Sequence, residues 1–213
     1  MSQNTQTDRA RALKLTPVSD DALARLDKYA ALLTEWQSRI NLVAPSTVPQ
    51  LWTRHIADSL QLLRHAPDAK IWVDLGSGAG LPGLPVACAL AQTPGARVHL
   101  VESTGKKAAF LREAVRITDA PALVHAERIE NFGESYAGKT DVVTARALAP
   151  LSSLFDQAFP FMAKGAIGLF LKGQDVEAEL TDSSKRWSVE ATKATSVTDP
   201  DGCVLIVRRL TRR

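Results

Sequence analysis

Four glycines fall within eight residues, Gly76, Gly78, Gly80 and Gly83, directly after the apolar run Trp72-Val73-Asp74-Leu75. Glycine is needed where the backbone enters left-handed conformations or where another group approaches the main chain closely. A purely structural turn needs one or two; four point to a ligand held against the backbone. A strand that runs into such a turn and opens a helix is a unit of an α/β sheet, in which ligands bind beyond the carboxyl ends of the strands.

The rest of the chain fits that unit. After Pro67, short apolar runs alternate with helical patterns. Strands are expected at 70–75, 97–101, 122–125, 141–145 and 166–171, and helices at 84–91, 106–117 and near 151–162. A final strand pair is expected at 187–194 and 203–207. Nearly continuous apolar strands between helices mean a parallel sheet covered on both faces. Residues 19–64 differ, with two helical patterns and no strand. Leu23, Leu26, Ala30, Leu33 and Trp36 recur at the period of one buried helix face, after the N-terminal oxygens of Ser19-Asp20-Asp21. Pro45 and Pro49 interrupt, and Val48, Leu51, Trp52, Ile56, Leu60 and Leu63 mark the second helix. The expected architecture is a flexible tail over 1–16, a helical extension over 17–66 and a Rossmann-like α/β domain over 67–213. Trp36 and Trp52 read as core anchors rather than stacking platforms.

The ligand is narrowed by two carboxylates. Gly78-x-Gly80-x-x-Gly83 matches the dinucleotide fingerprint, a weak signal alone. Glu102, 22 positions beyond Gly80, suits a ribose diol in either a dinucleotide or S-adenosylmethionine. Asp74 separates them, because a carboxylate beside the turn repels a pyrophosphate but attracts a sulfonium and an ammonium. The expected fold class is therefore α/β, a Rossmann-like class I S-adenosylmethionine-dependent methyltransferase with an N-terminal helical cap. An NAD-dependent oxidoreductase is the rival reading.

Composition excludes several other classes. No apolar run approaches the ~20 residues of a membrane helix, and MSQNTQTDRARALKL has no apolar secretory segment. Cys88 and Cys203 lack metal-ligand or CxxC spacing and read as small hydrophobes in a reducing compartment, so a cytoplasmic protein without a metal site is expected. His65, His99 and His125 show no ligand spacing either. A net charge of +3 permits a nucleic-acid partner without demanding one. Arg208, Arg209, Arg212 and Arg213 form a solvated basic tail or contact phosphates.

Taken in order, the segments resemble the RsmG (GidB) family of bacterial 16S rRNA guanine-N7 methyltransferases. The likeness runs from Glu35-Trp36-Gln37-Ser38-Arg39-Ile40-Asn41-Leu42 through Arg54-His55-Ile56-Ala57-Asp58-Ser59-Leu60 to the glycine turn. It continues in Glu102-Ser103-Thr104-Gly105-Lys106-Lys107, Phe110-Leu111-Arg112, Glu127-Arg128-Ile129-Glu130-Asn131-Phe132, Thr144-Ala145-Arg146-Ala147 and Leu171-Lys172-Gly173-Gln174. The resemblance implies cofactor contacts at Gly76, Leu81, Ile129, Glu130 and Arg146. It implies a guanine in the decoding-region loop as target, with 16S rRNA or the small ribosomal subunit as partner. Position in the sheet adds Asp74, Ser77, Gly78, Gly80 and Glu102 to the cofactor set. The family commonly has aspartate at the position of Glu102 and arginine at Lys107; both departures keep the charge.

The expected chemistry needs no acid or nucleophile. Guanine N7 has a free lone pair, so holding nucleophile, methyl carbon and sulfur in line suffices, and such orientation is worth roughly 7–11 kcal/mol in good cases. Neither cysteine is placed as a cytosine-C5 nucleophile, and Val142-Val143-Thr144-Ala145-Arg146 lacks the Asn/Asp-Pro-Pro-aromatic motif that grips exocyclic amines. Arg146 is the candidate catalytic residue, bonding guanine O6 or the cofactor carboxylate; a salt bridge to a neighbouring acid is the alternative. His55 and Asp58, one helical turn apart, line the mouth of the site or belong to an intrahelical contact with Arg54. Lys106, Lys107, Arg112 and Arg116 suit RNA phosphates or form an ordinary solvated face, and His55 joins the RNA-facing set. A monomer is expected. A non-catalytic, cofactor-binding ribosome assembly factor is the third reading.

Overall fold

The computed structural model describes residues 3–213. The chain begins with α1 (Gln3–Leu15) and α2 (Asp20–Gln37). An irregular helical segment follows, made of a 3-10 turn (Pro45–Gln50), a π-helical turn (Trp52–Ala57), α3 (Asp58–Leu60) and a second 3-10 turn (Gln61–His65). Then come β1 (Ile71–Leu75), α4 (Gly83–Ala89), β2 (Arg97–Val101), α5 (Gly105–Thr118), β3 (Ala122–His125) and α6 (Ile129–Ser135). The chain ends with β4 (Val142–Arg146), α7 (Leu151–Met162), β5 (Ile167–Lys172), α8 (Val176–Ser183), β6 (Trp187–Thr195) and β7 (Cys203–Arg212).

The strands form one sheet in the order β3-β2-β1-β4-β5-β7-β6. The first five are parallel; β7 runs antiparallel to both β5 and β6. Strand order reverses between β1 and β4, which opens a crevice at their carboxyl ends. Side chains alternate across β1: Trp72 joins the core shared with α2, α4 and α5, whereas Val73 and Leu75 join the core under α7. Asp74 therefore shares the Trp72 face.

The N-terminal region differs from its sequence reading. The flexible tail expected over 1–16 is helix α1 for residues 3–15, while Met1 and Ser2 lie outside the described residues. The helix is held by polar contacts rather than by an apolar stripe. Asp8 accepts bonds from the main-chain N–H groups of Trp52 (2.8 Å) and Thr53 (3.3 Å) and from the Thr53 hydroxyl (2.5 Å). Arg9 binds Asp27 through two nitrogens at 2.7 and 2.8 Å and lies over the Trp52 ring. Because α1 fully buries only Ala12, it leaves no hydrophobic period to read. Ser19 caps α2 as expected, accepting from the Ala22 N–H. Trp52 is fully buried, and Trp36 packs edge-on against Phe110.

At the other end, the four arginines read as a tail or phosphate contacts fall on β7 and just after it. Arg212 lies over the rings of Phe159 and Trp187. Two helices, α6 and α8, were not expected. No helix among the described residues is long and apolar enough to cross a membrane.

Asp8 caps the π-helical turn at the start of the RHIADSL segment. Asp8→Ala is expected to cost about 1–2 kcal/mol, as loss of a good N-cap does. Urea denaturation measures it, and an unchanged midpoint would mean that α1 is not coupled to this segment.

Candidate active site

The glycine turn is held by its own backbone. Ser77 donates its N–H to Val101 (2.9 Å) and its hydroxyl to the Asp74 carbonyl (3.0 Å), and Gly80 and Leu81 donate back to Ser77. Gly76 has φ +63°, and a Cβ there would collide with Leu148. At Gly83 a Cβ would lie 2.5 Å from Leu100 and 2.7 Å from the Asp74 carboxylate, so α4 sits directly on β1 and β2. The phenol of Tyr29, fully buried on α2, donates to the Ala79 carbonyl at 2.7 Å.

Two carboxylates behave differently here. Glu102 is turned onto the main chain, one oxygen accepting from Gly78 N–H (2.9 Å) and the other from Thr104 N–H (2.7 Å). An ionised carboxylate has about four acceptor positions, so Glu102 keeps capacity for a further donor. Asp74 is fully buried behind the turn and lines neither cavity described below. One of its oxygens accepts from Gly83 N–H at 3.1 Å and the other has no partner. The direct ligand contact expected of Asp74 is thus replaced by support from behind, because its side chain projects to the face that α4 covers. Burial pushes its carboxyl up to about 7, against the pull of the Gly83 N–H.

Two adjoining cavities open on either side of the turn. The larger, about 590 Å³, contains Gly76, Ser77, Gly78, Leu81, His55 and Arg146 in its wall. The smaller, about 270 Å³, contains Gly76, Gly78, Glu102, Ile129 and Glu130. Lys107 and Ala147 border both. Gly80 lies inside, packed towards Leu84 and Leu111. The structure thus gathers nearly all the expected cofactor residues around one crevice. Of the expected RNA-facing residues, Lys106 and Arg112 are exposed on α5. Arg116 is paired with Glu113. His55 is buried yet lies with Asp58 in the wall of the larger cavity, as expected of residues lining the site.

Arg146 ends β4 inside the larger cavity. It donates to the Arg54 carbonyl (3.1 Å), to Asp58 (3.3 Å) and to His55 Nδ1. A guanidinium can only donate, so Nδ1 is an acceptor and the His55 proton sits on Nε2. That nitrogen is 2.7 Å from the Thr47 hydroxyl, which donates to the Ala44 carbonyl. Burial, with Arg146 and Arg54 adding to it, pushes His55 down to about 3, consistent with a neutral ring. The intrahelical Arg54–Asp58 contact does not form; Arg54 pairs with Asp199 at 2.5 Å, and Asp58 serves Arg146.

Sequence reasoning missed three groups. Tyr29 falls on the buried face of α2, and a buried phenol requires a partner, so it was findable. Lys172 lies in the quoted Leu171-Lys172-Gly173-Gln174 segment and pairs with Glu179 at 2.7 Å. Thr198 and Ser196 reach Asp58 from a distant part of the chain and carry no local signal, and Gln61, three residues beyond Asp58, bonds the same carboxylate.

The topology and the crevice at the β1–β4 switch point define a Rossmann-like class I methyltransferase fold. Solved structures agree on the fold. An O-methyltransferase from Bacillus cereus is 14% identical with a TM-score of 0.60 and covers 94% of this chain and 96% of its own. An O-methyltransferase from Streptomyces achromogenes is also 14% identical, with a TM-score of 0.61 over 98% of this chain and 100% of its own. The chain belongs to the family described as GidB, rRNA small subunit methyltransferase G, whose profile matches residues 22–203. Relatives called ribosomal RNA small subunit methyltransferase G include one from Bradyrhizobium sp. strain BTAi1, 60% identical over 94% of this chain and 90% of its own length. Another, from Bradyrhizobium sp. strain ORS 278, is 58% identical over 97% and 93%.

The buried Asp74 carboxyl makes stability depend on pH. Its folded value, about 7, lies above the unfolded 3.8, so its contribution is fully present below the unfolded value and lost as pH rises through the folded one. Asp74→Asn keeps an acceptor for Gly83 and removes the titration. Between about pH 4 and about pH 8 the wild type is expected to lose stability relative to this variant in urea melts; parallel curves would contradict the buried titration.

Proposed function

We propose that this chain transfers a methyl group from S-adenosylmethionine to N7 of a guanine in 16S rRNA, in the decoding-region loop that the family resemblance implies. The observation that carries the reading is the position of Arg146: a largely buried guanidinium, braced by Asp58 and His55, at the junction of the glycine turn and the larger cavity.

The residues fit the cofactor. The left-handed Gly76 leaves the main chain uncovered by a Cβ, and Glu102 retains acceptor positions for ribose hydroxyls. Ile129, Val101 and Leu148 line the smaller cavity with apolar surface suited to a purine, next to the acceptor Glu130. Gly76, Ser77, Gly78 and Leu81 line the larger cavity, where the methionine part and the target base would meet. Asp74 adds support for the turn.

When bound, the cofactor supplies a methyl group on a cationic sulfonium. Guanine N7 has a free lone pair and would accept that methyl group without giving up a proton, so this chain's residues would have to hold and align the two partners rather than move a proton. The protein's task is orientation. Arg146 donates to guanine O6 or to the cofactor carboxylate; neutral His55 holds the guanidinium without adding repulsion. Lys106, Lys107 and Arg112 on α5 contribute phosphate contacts near the mouth. The small ribosomal subunit or its rRNA is the partner in this reading, in which the protein acts in the cytoplasm as a monomer.

Labelled S-adenosylmethionine with unmodified small subunits and with bare 16S rRNA, followed by nucleoside mass spectrometry, tests this. 7-Methylguanosine is expected. Gly76→Asp should abolish cofactor binding, and Arg146→Ala should lower the rate about 100-fold, the loss typical of a preorganised donor. A different methylated nucleoside would move the target atom. Tight cofactor binding with no product on either substrate would favour the non-catalytic assembly-factor reading.

A further inference from the structure

Asp58 is pinned by a part of the chain far from the methyltransferase motifs. The Thr198 hydroxyl, on the loop between β6 and β7, donates to Asp58 Oδ1 at 2.6 Å across 140 positions of sequence. Gln61 Nε2 donates to the same oxygen at 2.8 Å, and its Oε1 accepts from Val197 N–H at 3.0 Å, which seats the loop. Ser196 lies 3.0 Å from Thr198 Oγ1 and 3.2 Å from Gln61 Nε2. With Oδ1 occupied in this way, Oδ2 is the oxygen presented to Arg146. Arg146 has five N–H donors, and its bonds to Arg54, Asp58 and His55 use three of them. Two remain for whatever enters the cleft.

We propose that Thr198 is a positioning residue for methyl transfer: it fixes the Asp58 carboxylate, which in turn orients the Arg146 guanidinium at the base of the larger cleft. This rests on the function proposed above. A hydroxyl alone cannot orient Arg146. It acts by reinforcing, together with Gln61, one rotamer of the carboxylate through the shortest bond to Oδ1, and by stabilising that carboxylate in its charged form. Thr198, Ser196 and Gln61 are all buried, with Thr198 and Ser196 in the wall of the larger cavity.

The groups facing Asp58 set the expected pH behaviour. Burial raises its pKa. Arg146 from β4, the Thr198 hydroxyl and Arg54 oppose that rise, and Asp199 on the β6–β7 loop adds to it. The adjoining His55 is neutral. The ionised carboxylate is the form that holds Arg146, so activity falls as pH drops through the Asp58 value. Removing the Thr198 hydroxyl takes away a stabiliser of the charged form and moves that acid limb to higher pH.

The test uses the full chain with Thr198→Val, Thr198→Ser and Asp58→Asn, assayed with labelled S-adenosylmethionine on unmodified small subunits across pH. Thr198→Val should lower kcat about tenfold, the size expected for losing a bond to a charged group. It should leave the KM for S-adenosylmethionine little changed and shift the acid limb upward; Thr198→Ser should restore both. In the Asp58→Asn background, Thr198→Val should add no further loss in kcat, as coupled residues behave in a double-mutant cycle. Wild-type kcat and an unmoved acid limb in Thr198→Val would overturn the proposal, as would a lowered melting temperature with an unchanged pH profile. If the wild type itself yields no 7-methylguanosine, the function fails and the positioning role falls with it. Activity in the wild type with no response in the variants sinks the positioning role alone.

Discussion

Much of the architecture depends on how closely α4 can approach the end of β1. Gly83 lies against Leu100 and the Asp74 carboxylate with no room for a side chain, and its N–H is bound to Asp74. That contact seals Asp74 away from water and directs the turn back over the strand ends. It also leaves Gly76, Ser77 and Gly78 facing the crevice. Tyr29 on α2 supports the same turn through the Ala79 carbonyl. Helix α2 therefore backs the site without lining it, and the packing of Tyr29 and Trp36 against Phe110 fixes it there.

A second requirement follows from Arg146. A guanidinium stays charged even when burial disfavours it, so a largely buried one must be matched by acceptors. The chain collects these from separate regions: the Arg54 carbonyl, Asp58 and His55 from the irregular helical segment, with Thr198 behind Asp58 on the β6–β7 loop. Breaking the regular helix at residues 52–57 suits this demand, since the wider turn lets a main-chain carbonyl and two side chains face the same guanidinium. The irregularity and the site are one feature.

This division explains what was legible in the sequence. The strands and the glycine turn were readable because each rests on local periodicity or backbone permissiveness: Trp72 to Leu75, and Gly76 to Gly83. The cap of α2 was readable for the same reason, since Ser19 acts three residues away. Helix α1 was missed because Asp8, Arg9 and the Trp52 ring hold it through polar contacts, while its own sequence shows no apolar face. The place of Asp74 was misjudged because burial depends on which face α4 covers, and that is a property of packing. Thr198 and the loop it sits on were invisible, because Thr198 meets Asp58, and Val197 meets Gln61, only across a long separation.

The same division separates what the fold shares from what it makes particular. The parallel strands and the helices over them belong to the fold that O-methyltransferases at 14% identity also possess. The Arg146 environment is assembled on that fold by the N-terminal extension and the β6–β7 loop, which meet across the larger cavity. A Rossmann-like sheet can hold the same nucleoside in many enzymes, and target chemistry has to come from what is added at the strand ends. In this chain the additions supply a fixed cation, a neutral imidazole and a braced carboxylate. They suit a nucleophile such as guanine N7, which must be oriented but never deprotonated.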